Sequence, residues 1–285
     1  MLTTKRIILL LVMSLTSFQL LHGQSCCVKP KSNTGMAVFA SNIAFQNAHA
    51  EPIPYDGEKH KGTMKGIVID PAGTEMNCYL VESSGSNKYL IVVHEWWGLN
   101  DYVKQACDKY AGALPGVNIL AVDLYKGAVT DNREAASELM QKVSNEEAYV
   151  SLQAVIYSLG EKAEIATTGW CFGGGWSLQA SMIAGNNAKA CVMYYGMPEE
   201  DNTKLKNLSA PVLGIFAKKD MWILPEMYKA FEYKLTKEMN KSMELIEFDA
   251  EHAFANPSNP NYDKEAAAAA YKREIAFLKE KLQVK

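Results

Sequence analysis

Five near-continuous aliphatic runs, Tyr89–Val93, Val117–Val122, Ile165–Thr168, Ala190–Tyr195 and Val212–Phe216, constrain the fold of this chain more than any other feature. Runs so short and so apolar read as strands buried on both faces, the habit of a parallel sheet. Three further segments read as strands: Gly66–Asp70, Asn77–Glu82 and the alternating Met243–Phe248. Between them lie stretches of helical character at Asp101–Leu114, Asn132–Gly160 (room for two helices), Gly174–Ala184, Leu224–Met239 and Asp263–Leu282. The last contains Ala266–Ala270, and alanine is the best helix former. Strand-then-helix repetition predicts an α/β fold, a mainly parallel central sheet with helices on both faces. Neither an internal repeat nor a linker divides this main domain, which is placed at residues 63–285.

The chain's beginning is of another kind. Lys5 and Arg6 precede an apolar run, Ile7–Met13, and Gly23 and Ser25 follow as small residues suited to cleavage. Residues 1–25 therefore read as a cleaved export signal, and the protein is expected to be periplasmic or secreted. A membrane anchor needs about 20 mostly apolar residues, and Ser14, Thr16, Ser17 and Gln19 interrupt this run. Cys26-Cys27 invites a lipoprotein reading, but the position three before the cysteine holds Gly23 where an aliphatic residue is preferred. Residues 26–62, polar and rich in turn formers such as Pro30, Pro52, Pro54 and Gly57, read as an irregular arm wrapped on the main domain. No later segment is apolar enough to span a bilayer.

Charge and cysteine content narrow the function. A net charge of −3 argues against nucleic-acid binding by bulk positive charge. Six cysteines among 285 residues are too sparse for a disulfide framework. A small-molecule ligand is the expected partner, with no cofactor and no metal, and the oligomeric state is left open.

In an open α/β sheet, ligands bind beyond the carboxyl ends of the strands, so residues directly after each strand matter most. Gly169-Trp170-Cys171-Phe172-Gly173 follows a strand and opens a helix. This is the G-x-S-x-G nucleophile turn with sulfur in place of oxygen. Its glycines leave room for a tight turn, and the helix N-terminus favours a thiolate at Cys171. A buried core cysteine is the competing reading. Other uses of these glycines fail: a dinucleotide fingerprint would need glycine where Leu178 stands, and no Gly-Lys-Ser/Thr or Cys-x-x-Cys is present. Asp220 and His252 follow the next strand ends, in the nucleophile–acid–histidine order of this architecture. Histidine moves protons near neutral pH, and a carboxylate fixes its tautomer. His49 and His60 fall in the polar arm and His94 on another strand end, so none of them is assigned to the site.

Together with His94-Glu95-Trp96-Trp97-Gly98-Leu99-Asn100 and Asp123-Leu124-Tyr125, these residues resemble the dienelactone hydrolase family over roughly Gly62 to Leu282. The resemblance implies an α/β-hydrolase cleaving an ester or lactone through a cysteine acyl-enzyme. It also implies that Glu95 hydrogen-bonds the resting cysteine, and that the N–H groups of Trp96 and Phe172 form the oxyanion hole. Donors of this kind are worth about 3 kcal/mol each. Two arginines by which the family's dienelactone-cleaving members hold a substrate carboxylate are replaced here, by Gly127 (beside Lys126) and Asn256. A lysine does not reproduce a bidentate fork, so a small anionic dienelactone is not the expected substrate. Trp97, Tyr125, Lys126, Trp222 and Asn256 are the candidate pocket residues.

Two other functions fit the same residues. A non-catalytic hydrolase-fold protein would bind a ligand or partner with them, and a redox sensor would pair Cys171 with Cys26, Cys27, Cys78, Cys107 or Cys191.

Overall fold

The computed structural model describes residues 35–285. The export-signal and Cys26-Cys27 readings lie outside the described residues. Eight strands form one sheet: β1 (Thr63–Val68), β2 (Glu75–Val81), β3 (Lys88–Val93), β4 (Asn118–Val122), β5 (Glu164–Gly169), β6 (Ala188–Tyr194), β7 (Val212–Ala217) and β8 (Met243–Phe248). Their spatial order is β1-β2-β4-β3-β5-β6-β7-β8. The six strands from β4 to β8 run parallel, while β2 lies antiparallel to β4 and β1 antiparallel to β2. Every residue of β4 and β7 is buried, as expected of strands covered on both faces. The alternating β8 is an edge strand, half-buried throughout.

The helices are α1 (Ile43–Ala48), α2 (Asp101–Ala113), α3 (Arg133–Lys142), α4 (Asn145–Ser158), α5 (Phe172–Ala184), α6 (Asn202–Leu205), α7 (Pro225–Tyr233) and α8 (Lys264–Leu282). Side-chain caps mark several starts, Asn100 before α2, Asn132 before α3, Ser144 before α4 and Asp263 before α8. The Ser144 cap is why the stretch read as room for two helices divides there. Helix α7 continues into a π-helical turn at Lys234–Glu238. Among the described residues, no helix is long and apolar enough to cross a membrane.

The arm differs from its sequence reading. Gly35–Phe39 is a 3-10 turn and α1 follows it, so this part is helical rather than irregular. Asn42 caps α1 by accepting hydrogen bonds from the N–H groups of Ala44 and Phe45. Met36, Ala37, Ala40 and Phe45 are buried in the main core, anchoring the arm by apolar packing. Farther on, the His60 ring lies 3.1 Å from an Asp101 carboxylate oxygen, and the Lys61 N–H donates to Asp108. Ala50–Gly62 has no helix or strand.

From β3 the chain crosses to β4 on one side, and from β5 onward it builds outward on the other. The order therefore reverses between β3 and β5, and the crevice at such a reversal is where α/β sheets bind ligands. Glu95 and Cys171 follow these two adjacent strands.

Candidate active site

Cys171 sits between β5 and α5 with φ +53°, a left-handed backbone that a cysteine rarely adopts. Such a conformation costs about 1–3 kcal/mol and persists only where surroundings enforce it. Here they do: the Cys171 N–H donates to the Tyr194 carbonyl at 3.0 Å, and the Gly173 N–H donates to the Trp170 carbonyl at 2.8 Å. A side chain at Gly169 would collide with the backbone of Gly173, and one at Gly173 with the carbonyls of Val93 and His94. The two glycines thus let the β5 turn press against the end of β3, which brings Glu95 and Trp96 toward Cys171.

His252 follows β8, and Asp220 follows β7. His252 Nδ1 lies 2.6 Å from Asp220 Oδ2. The other carboxylate oxygen of Asp220 accepts from the N–H groups of Trp222 and Ile223 at 2.8 and 3.0 Å, so the carboxylate is fixed at both ends. Cys171 Sγ and a ring nitrogen of His252 lie within 4.8 Å of each other. His252 Nε2 is buried and has no hydrogen-bond partner among the described residues. The thiol is therefore in reach of the imidazole, and each acts on the other's proton affinity.

The site is dry. Cys171 is 1% exposed and His252 7%. Burial pushes the Cys171 thiol above its ordinary range, against the pull of the adjacent His252 and the Phe172 N–H. Burial thus works against the thiolate that the helix N-terminus favours. For His252, burial works against protonation, but the Asp220 carboxylate and the neighbouring sulfur overcome it and hold the imidazole well above its usual value.

Glu95 is held from the β8 side of the site. Its Oε2 accepts from Asn256 Nδ2 at 2.8 Å. Asn256 Oδ1 in turn accepts from the Ser258 N–H at 2.8 Å and the Ser258 hydroxyl at 2.7 Å. The residue at the family's arginine position thus grips the glutamate. Burial lifts the Glu95 carboxyl to about 7, against the opposing effects of Asn256 and His252. Gly127, at the other arginine position, has φ +92° and donates its N–H to Asp123 Oδ2. A side chain there would be strained.

The remaining pocket candidates divide. Tyr125 is buried against His94 and Phe172, with a hydroxyl that has no partner among the described residues. Trp97 lines a cavity of about 210 Å³ that borders Glu95, Asn256, Trp170 and Tyr194. Trp222, half-buried, packs on Phe39 and Phe45 of the arm. Lys126 is not brought to the site: its side chain is 81% exposed and pairs with Glu147 at 3.2 Å. The turn closed by Asp123, which accepts from the N–H groups of Tyr125 and Gly127, directs it outward. Trp96 is fully buried beside Trp97. His94 is scaffolding, with Nδ1 2.6 Å from the Glu95 carbonyl and Nε2 accepting from the Leu124 N–H.

Sequence reasoning missed His49. Its ring lies 4.5 Å from that of Trp96 and 5.4 Å from that of His252, centre to centre. Its Nδ1 lies 2.7 Å from the Phe45 carbonyl. Burial and the neighbouring His252 hold it far below the usual histidine value, at about 3, so the ring is neutral. The available signal was a histidine following a short apolar segment, Ile43–Phe45, inside a polar arm. Glu274 was also missed: fully buried on α8, it accepts from Tyr110, Tyr194 and Thr168 and ties α8 to the strands beneath the nucleophile turn.

An open, mainly parallel sheet with a cysteine on a strained strand-to-helix turn, and an imidazole–carboxylate pair arriving from two later strand ends, defines an α/β-hydrolase. The chain belongs to the dienelactone hydrolase family, whose sequence profile matches residues 76–282. It is 27% identical over 228 residues to "Protein usf" of Aquifex pyrophilus, covering 76% of this chain and 98% of that relative. It is 25% identical to a putative carboxymethylenebutenolidase of Aquifex aeolicus, covering 75% and 96%. A putative dienelactone hydrolase from Klebsiella pneumoniae shares the fold, with a TM-score of 0.63 at 24% identity over 76% of this chain and 98% of that one. The protein is a dienelactone hydrolase-like hydrolase.

Proposed function

We propose that this hydrolase cleaves a carboxylic ester or lactone through Cys171, His252 and Asp220, by way of an acyl-enzyme. The observation that carries the reading is the fixed His252–Asp220 hydrogen bond of 2.6 Å with Cys171 Sγ in reach of the same imidazole. The sulfur and the imidazole share one proton, and Asp220 stabilises it on the ring, which leaves the sulfur as the nucleophile. Sγ bonds to the substrate carbonyl carbon with that proton held on His252. The charge on the carbonyl oxygen falls to the N–H groups of Phe172 and Trp96. His252 then protonates the departing alkoxide, and as a neutral ring it takes a proton from the water that releases the acid. Glu95 faces this charge transfer from the end of β3, held by Asn256.

Gly127 and Asn256 where the family's dienelactone-cleaving members carry arginines argue for a substrate without the small anionic lactone's carboxylate. The N-terminal Lys5-Arg6 and Ile7–Met13 pattern supports export to the periplasm or medium. The deciding experiment incubates the protein with a panel of neutral esters, lactones and thioesters and measures intact mass. An acyl adduct mapped to Cys171, absent with turnover in Cys171→Ala, is the expected result. Equal turnover in the two proteins refutes the cysteine mechanism and favours the binding-protein reading.

A further inference from the structure

The arm places a third potential ligand beside the thiol and the imidazole. One nitrogen of His49, one of His252 and Cys171 Sγ all lie within 4.8 Å of one another. All three residues are buried. We propose that His49, Cys171 and His252 form a site for one thiophilic divalent cation of the Zn2+ class, joining the N-terminal arm to the hydrolase core.

The hydrogen bonds around the two histidines carry the case. A carbonyl only accepts, so His49 Nδ1, 2.7 Å from the Phe45 carbonyl, carries the ring proton and leaves the lone pair on Nε2. His252 Nδ1 faces the Asp220 carboxylate, so Nε2 is the nitrogen left for a metal once its proton is displaced. His49 Nε2 is buried without a hydrogen-bond partner among the described residues, and the buried His252 Nε2 has Cys171 beside it. Metal-binding histidines are held in this way, one nitrogen on the ion and the other on a carbonyl or carboxylate. Burying a nitrogen unpartnered, as His49 Nε2 is, costs about 1–3 kcal/mol, a cost that an ion shared with the sulfur and His252 would remove.

The dimensions suit a tetrahedral ion. Zn–S and Zn–N bonds of about 2.3 and 2.0–2.1 Å place ligand atoms roughly 3.3–3.6 Å apart. Rotamer adjustments of about an ångström close that gap from the 4.8 Å bound. A set of one thiolate and two imidazoles favours Zn2+ or Co2+ over Mg2+ or Ca2+, which prefer oxygen. Binding displaces the one proton that Cys171 and His252 share and releases it to buffer, with no redox change. Three protein ligands leave one coordination position open. An ion here takes both the thiol and the His252 lone pair, so its presence and the acyl-enzyme chemistry at Cys171 exclude one another. The proposal does not depend on that chemistry.

The test uses the full chain with Cys26→Ser and Cys27→Ser, so that no other adjacent thiol pair binds metal. The reduced, chelator-treated protein is titrated with Co2+ and then with Zn2+ against a chromophoric chelator. The expected result is one ion per chain and a thiolate-to-Co2+ charge-transfer band that Cys171→Ser abolishes. His49→Ala should weaken Zn2+ binding at least about tenfold. Because His49→Ala opens a buried cavity, His49→Phe, of similar bulk beside Phe45 and Trp96, is measured alongside, with circular dichroism reporting folding. Zinc X-ray absorption of the Cys26→Ser, Cys27→Ser protein should show one sulfur and two imidazoles. A missing charge-transfer band, a single imidazole in the absorption spectrum, or unchanged Zn2+ affinity in a folded His49 variant overturns the three-ligand site. Acyl-adduct formation by metal-free protein is a separate readout, so failure of either proposal is recognised without the other.

Discussion

Replacing Asp220 by asparagine isolates the role assigned to this carboxylate. One oxygen accepts from the backbone N–H groups of Trp222 and Ile223, and the other faces His252 Nδ1 at 2.6 Å. Asparagine has one acceptor oxygen. Two fixed N–H donors claim it, so its NH2 must point at His252. The imidazole then accepts at Nδ1 and carries its proton on Nε2, where it cannot receive the Cys171 proton. The turn survives because all three contacts are kept, and the stability loss should be no more than about 1–3 kcal/mol, the range for a hydrogen bond to a charged group. The rate should not survive. An aspartate-to-asparagine change that imposes the wrong tautomer drops kcat by about 10⁴ in the well-studied serine case, equivalent to about 5.5 kcal/mol of transition-state stabilisation. The assay is kcat/KM on p-nitrophenyl acetate, with thermal denaturation as the folding control. A folded Asp220→Asn variant within tenfold of wild type refutes the tautomer argument.

Other consequences are open to measurement. Burial lifts the Glu274 carboxyl to about 7 from an ordinary 4.5, so the folded state binds a proton that the unfolded state has already lost between those values. Its contribution is fully present below about pH 4.5 and declines by roughly 3 kcal/mol as pH rises to 7. The stability of wild type relative to Glu274→Gln, measured by urea denaturation, should therefore fall across that window. Taking the difference cancels His49, whose depressed value acts in the opposite direction, its stabilisation being lost as pH falls below 6.5; a flat difference refutes the assignment. Iodoacetamide should modify Cys171 before Cys78, Cys107 and Cys191, at a rate still climbing at pH 9, because burial raises all four thiols and only Cys171 has an imidazole beside it. Labelling that plateaus near pH 7, followed by peptide mapping, shows that reasoning wrong. Gly173→Ala, whose added methyl meets the Val93 and His94 carbonyls, should cost about 1–3 kcal/mol in denaturation midpoint analysis and lower acyl-adduct yield. Unchanged stability contradicts the close approach.

What was legible in the sequence is what covalent pattern enforces. Aliphatic runs can only be satisfied by burial, so β3 to β7 emerge within two residues of their expected ends, and the alternation in Met243–Phe248 marks the edge strand β8. Strand ends then fix where Cys171, Asp220 and His252 stand along the chain, and parallel packing brings those ends to one rim. The readings that missed depend on which atom wins a contested hydrogen bond or on how far a segment folds back. The Glu95–Asn256 bond is of the first kind: two polar residues 161 apart meet because each buried group needs a partner, a choice no local pattern reveals. Lys126 shows the same limit. It is adjacent to the motif, yet Asp123 closes a turn that sends its side chain to Glu147 and solvent.

His49 is of the second kind, and it changes how the site is understood. Its segment is short and lies in a polar arm, so composition hides it. Yet Met36, Ala40 and Phe45 supply enough apolar surface to seat the arm against Trp96 and Trp222. Once Phe45 is buried, the next helical turn carries His49 to the cysteine, and its Nδ1 bond to the Phe45 carbonyl fixes the ring. The arm therefore walls the candidate site, because removing it would expose His252, Trp96 and the sulfur together. A sulfur that burial shields and an arm histidine that keeps solvent away follow from the same packing. The geometry that protects Cys171 at rest also determines which molecules reach it.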